Sequence, residues 1–118
     1  MKIYCLEGSN DDYLREFSFY EKTSIMELIK KLNPDPIILK IIQLISDTEI
    51  NIAGYEIGVV IESFSKKLFF FLKDGQGKIR ALATPVEVAE NYHINIDEMV
   101  KSTKKIAEVL GKYFKQYT

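Results

Sequence analysis

The sequence predicts an α+β domain: a small antiparallel sheet, made of a three-stranded meander plus an N-terminal strand or hairpin, packed with about four helices. Three observations carry that expectation. From Tyr55 the apolar residues alternate with period two through successive runs separated by turn residues, as half-buried strands require. Flanking this block, apolar residues recur at the i, i+3, i+4, i+7 spacing of amphipathic helices. Helix starts are marked by Ser24, Asp35-Pro36, Thr84-Pro85 and Asn95, each a capping residue ahead of an apolar periodic stretch. At 118 residues, with 47% apolar and 28% charged side chains, residues 1–118 read as one domain with enough apolar mass for a core.

Lys2 to Leu6 forms the first expected strand, apolar on both faces apart from Lys2, and stops at Gly8-Ser9-Asn10-Asp11. Tyr13 to Tyr20 fits either period; its aromatic Glu16-Phe17-Ser18-Phe19-Tyr20 segment favours a strand. Ser24 and Glu27 match a capping box that opens a short helix with Ile25, Leu28, Ile29 and Leu32 as its stripe. Asn33-Pro34 ends it, and Asp35-Pro36 opens a second helix. That helix, Ile37 to Ile45, has only Lys40 and Gln43 as polar residues, so it is expected to be the most deeply buried or to lend one face to a partner.

In the meander, Tyr55, Ile57, Val59 and Ile61 point one way and Glu56, Gly58, Val60 and Glu62 the other. A turn at Ser63 to Lys66 leads to a second strand, Lys67 to Lys73. Asp74-Gly75-Gln76-Gly77 is a hairpin signal, with glycine able to take positive φ, and Lys78 to Leu82 is the third strand. Thr84-Pro85-Val86-Glu87 starts a short helix to about Tyr92. A long C-terminal helix follows, from about Ile96 to Tyr117, with Ile96, Met99, Thr103, Ile106, Leu110, Tyr113 and Tyr117 along its apolar seam.

Reactive groups are scarce. One Cys and one His, Cys5 and His93, lie 88 positions apart, so no metal-ligand set forms and neither a metal nor a cofactor is expected. His93, between two helices with no partner nominated by spacing, reads as a turn residue, and Cys5 as a small strand residue. Gly75-Gln76-Gly77-Lys78 is followed by a strand rather than the helix a phosphate loop needs. No catalytic residue is assigned, and the chain is expected not to be an enzyme. A lone cysteine, no signal-peptide pattern and no apolar run near 20 residues make the cytoplasm the expected compartment, away from membranes.

Recognition remains as the expected task. Residues 1–62 hold 6 Lys/Arg against 11 Asp/Glu, and residues 63–118 hold 10 against 6; folding either separates these charges or interleaves them. If Leu68, Phe70 and Leu72 face the core, then Phe69 and Phe71 face away, among Glu56, Glu62, Lys67, Lys73, Lys78 and Arg80. That arrangement resembles the apolar centre and charged rim of a protein-binding patch; the alternative is that a helix, the C-terminal one first, covers the two rings. The expected function is a non-enzymatic protein-binding module, specifically a bacterial immunity- or antitoxin-like inhibitor that neutralises a toxin by direct binding. Its partner-binding residues would be Asp11, Asp12, Glu16, Glu56, Glu62, Phe69, Phe71 and Arg80, with the carboxylates steering a basic toxin or nuclease domain. The alternatives are a nucleic-acid-binding regulator using the helix pair 85–117, with Lys101, Lys104 and Lys105 on the duplex, or a small-ligand-binding domain. The net charge of −1 speaks against nucleic acid, while the two apolar helices allow a homodimer.

Overall fold

The computed structural model describes residues 1–6, 20–21, 33, 35–62 and 65–118. Most of the strand expected at Tyr13 to Tyr20 and the Ser24-capped helix Ile25 to Leu32 lie outside the described residues, as do Asp11, Asp12 and Glu16.

Five strands form one sheet: β1 (Lys2–Leu6), β2 (Tyr20–Glu21), β3 (Tyr55–Glu62), β4 (Leu68–Asp74) and β5 (Ile79–Ala83), in the order β2-β1-β3-β4-β5. The antiparallel meander β3-β4-β5 is present as expected. The sheet is nevertheless mixed, because β1 pairs in parallel with β3, from Lys2 opposite Gly58 to Leu6 opposite Glu62. A parallel pair needs a long crossover, and the chain between β1 and β3 supplies it. Lying between β2 and β3, β1 buries Ile3 on one face of the sheet and Tyr4 on the other.

The four described helices are α1 (Pro36–Ser46), α2 (Pro85–Asn91), α3 (Ile96–Met99) and α4 (Thr103–Lys115). Each begins at a side-chain cap: Asp35, Thr84, Asn95 and Ser102 accept from the backbone N–H three residues on. Their buried residues, Pro85 apart, join one cluster with Ile57, Val59, Ile61, Leu68, Phe70 and Leu72, which makes this the inner face of the sheet. The nitrogen of Met1 ties β1 to the end of α1, donating to the carbonyl of Thr48 at 2.6 Å.

Two helix expectations are corrected. The C-terminal segment is not one helix from Ile96 to Tyr117 but two, broken at Val100–Ser102. Ser102 takes an extended conformation (φ −156°, ψ 163°) and its hydroxyl accepts from Lys105 N–H, so a residue that caps better than it propagates restarts the helix. The break keeps Met99, Val100 and Ile106 all fully buried. For α1, expected either to be the most deeply buried helix or to lend a face to a partner, the first alternative is not found: it buries three of its eleven residues, Ile41, Ile42 and Ile45, against five of thirteen in α4.

Candidate functional site

The outer face of the sheet carries the residues expected to meet a partner. Here Tyr4, Val60, Phe69 and Phe71 form a second, smaller cluster, joined at its margin by Ile79 and Leu82. The alternation of β3 and β4 placed Val60, Phe69 and Phe71 correctly. Of the two outcomes expected for the rings, exposure or cover, cover is the one found: Phe69 is 7% exposed and Phe71 is fully buried. The C-terminal helix is not what covers them, since α4 packs on the inner face. Gly58 brings the backbone under the Phe71 ring, where a Cβ would stand 2.8 Å from the ring and 2.7 Å from the Lys2 carbonyl oxygen.

A polar clasp spans this cluster across β1, β3 and β4. The Tyr4 hydroxyl donates to Glu56 Oε1 at 2.5 Å, and Lys73 Nζ lies 3.2 Å from Glu56 Oε2. Lys73 also sits 5.5 Å above the Tyr4 ring and 5.9 Å above that of Phe71, at cation–π distance. Partial burial works to raise the Glu56 pKa, but the Tyr4 hydroxyl and the Lys73 ammonium outweigh it and hold the carboxyl below its ordinary value. Glu56 is thus already engaged within the fold rather than projecting to steer a partner.

Glu62 is corrected more sharply. Expected on the surface, it is fully buried, and its carboxylate accepts from the backbone N–H of Ser65 at 3.0 Å and from the Ser65 hydroxyl. At the end of β3 it organises the turn into β4 from inside, where Lys66 takes φ +62°. Buried beneath the turn, Glu62 offers a partner no exposed carboxylate to contact.

Arg80 is exposed, but a register shift moves it from its expected place. Lys73 pairs with Ile79 and Leu72 with Ala81, so Arg80 is the additional residue of a β-bulge in the edge strand. Ile79 therefore takes the outer-face position that alternation had reserved for Lys78 and Arg80, and Lys78 belongs to the hairpin turn. Asp74 shapes that turn by accepting from the backbone N–H groups of Gln76 and Lys78, both at 2.9 Å. These bonds, Lys78 first, hold its carboxyl below the ordinary value. Only Gly77 of the two turn glycines takes positive φ, +83°.

Beside β5 lies a groove of about 240 Å³ lined by Ile79, Arg80, Ala81, Leu82 and Tyr117. Tyr117 is 43% exposed, although the apolar seam had assigned it to the core. It follows the end of α4, and its hydroxyl is 3.4 Å from that of Tyr113. The signal that could have placed it is the basic last turn, Lys112 and Lys115, which marks a helix end just before Tyr117. Burial pushes the Tyr113 hydroxyl far up, with Tyr117 adding to the effect.

Other features serve the alternatives less well. His93 is exposed with φ +55° and closes α2, its N–H donating to Glu90 and that of Ile94 to Ala89, a Schellman arrangement. Lys101, Lys104 and Lys105 line a groove of about 330 Å³, but Glu98 and Glu108 line it as well, so a phosphate backbone would meet both signs of charge. A larger groove, about 650 Å³, opens where β1 and β3 begin and is lined by Lys2, Glu49, Asn51, Tyr55 and Glu56 among others. It holds carboxylates, as a small-ligand site would, though His93 is on a different element. Among the described residues no three His, Cys, Asp or Glu side chains converge as a metal site, and no helix is long and apolar enough to cross a membrane. A scan against protein-family models, a search of curated proteins and a search of solved structures each returned no match to this chain.

Proposed function

We propose that this chain is a non-enzymatic protein-binding module whose recognition surface is the edge strand β5 with Arg80 and Tyr117. The observation behind the reading is that groove: a sheet edge, an exposed tyrosine and an exposed arginine share one concave surface. Tyr and Arg are the side chains that most often anchor interfaces, because each combines a broad contact area with polar reach. The outer aromatic pair no longer serves, since Phe69 and Phe71 are covered, and Glu56 and Glu62 are engaged inside the fold.

An immunity- or antitoxin-like inhibitor is the narrower form of this proposal, since blocking a toxin asks only for a rigid surface that occludes it. The test is to isolate the bound protein, reconstitute the complex from purified components and measure Kd for Arg80→Glu and Tyr117→Ala. Each substitution is expected to weaken binding by about thirtyfold, the effect of losing an anchor worth about 2 kcal/mol. Wild-type affinity in both, with the fold intact by circular dichroism, sinks the surface. Salt-sensitive duplex binding that disappears when Lys101, Lys104 and Lys105 are neutralised would put the regulator reading in its place. For the inhibitor form, the reconstituted partner must lose its toxicity when this chain is co-expressed.

A further inference from the structure

We infer that the partner supplies an extended segment that adds as a strand to the open edge of β5, placing an acidic side chain against Arg80 and an apolar one beside Tyr117. This rests on the protein-binding reading of the same surface and specifies its chemistry. Among the described strands β5 pairs only with β4, so its other side presents backbone donors and acceptors to whatever lies alongside. Such an edge is a template for strand addition, in which main-chain bonds give affinity and pockets for alternate side chains give selectivity.

Three features narrow the choice of strand. Residues 78–83 carry two cations, Lys78 and Arg80, both exposed, and no acid, so the edge selects for negative charge. Asp74 is the nearby carboxylate that feels Arg80, and it is committed to the turn N–H groups. The groove between Ile79, Leu82 and Tyr117, about 240 Å³, has room for one large apolar side chain. Finally, the bulge and the arginine are devices that keep an edge from pairing indiscriminately, and an incoming strand relieves the second of them only by bringing a counter-charge. Charge complementarity therefore favours an acidic, apolar-alternating segment over a second copy of β5, Ile-Arg-Ala-Leu-Ala, which brings its own arginine and no acid.

The probe is a synthetic ten-residue peptide alternating Val and Glu, titrated into the intact isotope-labelled chain and followed by amide and tyrosine-ring NMR shifts. Peptides alternating Val and Lys, or carrying Pro at every third position, are the controls. Shifts centred on Ile79 to Ala83 and Tyr117, with slowed exchange of β5 amides, are expected for the Glu peptide alone. Arg80→Glu should weaken it about three- to tenfold, and Tyr117→Ser, at an exposed position past the end of α4, should weaken it too. Equal binding of the Lys peptide, shifts elsewhere, or an unaltered Kd in both variants overturns the inference. So does sedimentation showing that the chain dimerises with its own β5 amides protected, for then a second copy is the occupant. If the reconstituted partner complex depends on Arg80 and Tyr117 while β5 amides exchange as in the free chain, strand addition fails and the surface stands. A complex indifferent to both residues removes the surface itself.

Discussion

The two faces of the sheet are built on different principles. On the inner face, residues from every described helix close over Ile57, Val59, Ile61, Phe70 and Leu72, and the cluster is almost wholly apolar. On the outer face a few large rings and one valine are buried beneath a clasp of tyrosine, glutamate and lysine, and no described helix contributes. The inner face gains from area removed from water, which does not depend on the protonation of any side chain. The outer face adds charge-assisted bonds whose strength depends on protonation. What the pairing teaches is that alternation tells two faces apart without saying which of them is covered.

The largest effect that separates them is a cavity. Phe70→Ala, at the centre of the inner cluster, should cost about 3–5 kcal/mol in denaturant unfolding. Phe71→Ala should fall at or below the lower end of that range, because Tyr4 and Lys73 lie against its ring and can lean into the space. Equal losses would break the comparison. Next in size, Gly58→Ala should cost about 1–3 kcal/mol, since the new methyl meets the Lys2 carbonyl and the Phe71 ring at once. A neutral result would mean that the outer face yields far more easily than its burial implies.

A smaller effect isolates the clasp. Tyr4→Phe removes one hydrogen bond to a half-exposed carboxylate and should cost about 1 kcal/mol at neutral pH after allowing for solvent screening. The carboxyl of Glu56 is held below its ordinary value of 4.5 in the folded chain, so its contribution is full above that value and is lost as the pH falls through the folded pKa. The gap between wild type and Tyr4→Phe should therefore close on acidification, and the Glu56 titration, read by NMR, should move upward in the variant. A gap unchanged down to acidic pH would show that the hydroxyl acts by packing alone. Smallest of all, His93→Gly should stabilise by about 0.5–1 kcal/mol, because glycine takes the left-handed turn without strain and the exposed His93 side chain is removed from no core. Loss of stability there would reveal a contact that the exposed ring does not show.

How much of this was legible in the residues varied with the range of the interaction. The meander, the caps at Asp35, Thr84 and Asn95, and the inward and outward sets of β3 and β4 follow from period and local hydrogen bonding. The candidate site was only partly legible. Arg80 was named, but for the outer face rather than the edge, because a bulge is a one-residue shift with no residue type of its own. Tyr117 was missed because its spacing continued a seam that the Ser102 break and the end at Lys115 had interrupted. Glu62 was misread because glutamate is normally exposed, and the Ser65 donors that help it to be buried are not signalled by its residue type.

Short-range chemistry in the chain alone thus determined the element types, the helix starts and the two-sidedness of the strands, since each depends on neighbours within about one turn or one pleat. The parallel docking of β1 on β3, the burial of Phe69, Phe71 and Glu62, and the groove joining Tyr117 to β5 were decided by tertiary structure. The docking of β1, the covered rings and the groove join residues tens of positions apart, and the energies of all these features arise from packing and desolvation that exist only once the distant surfaces have met.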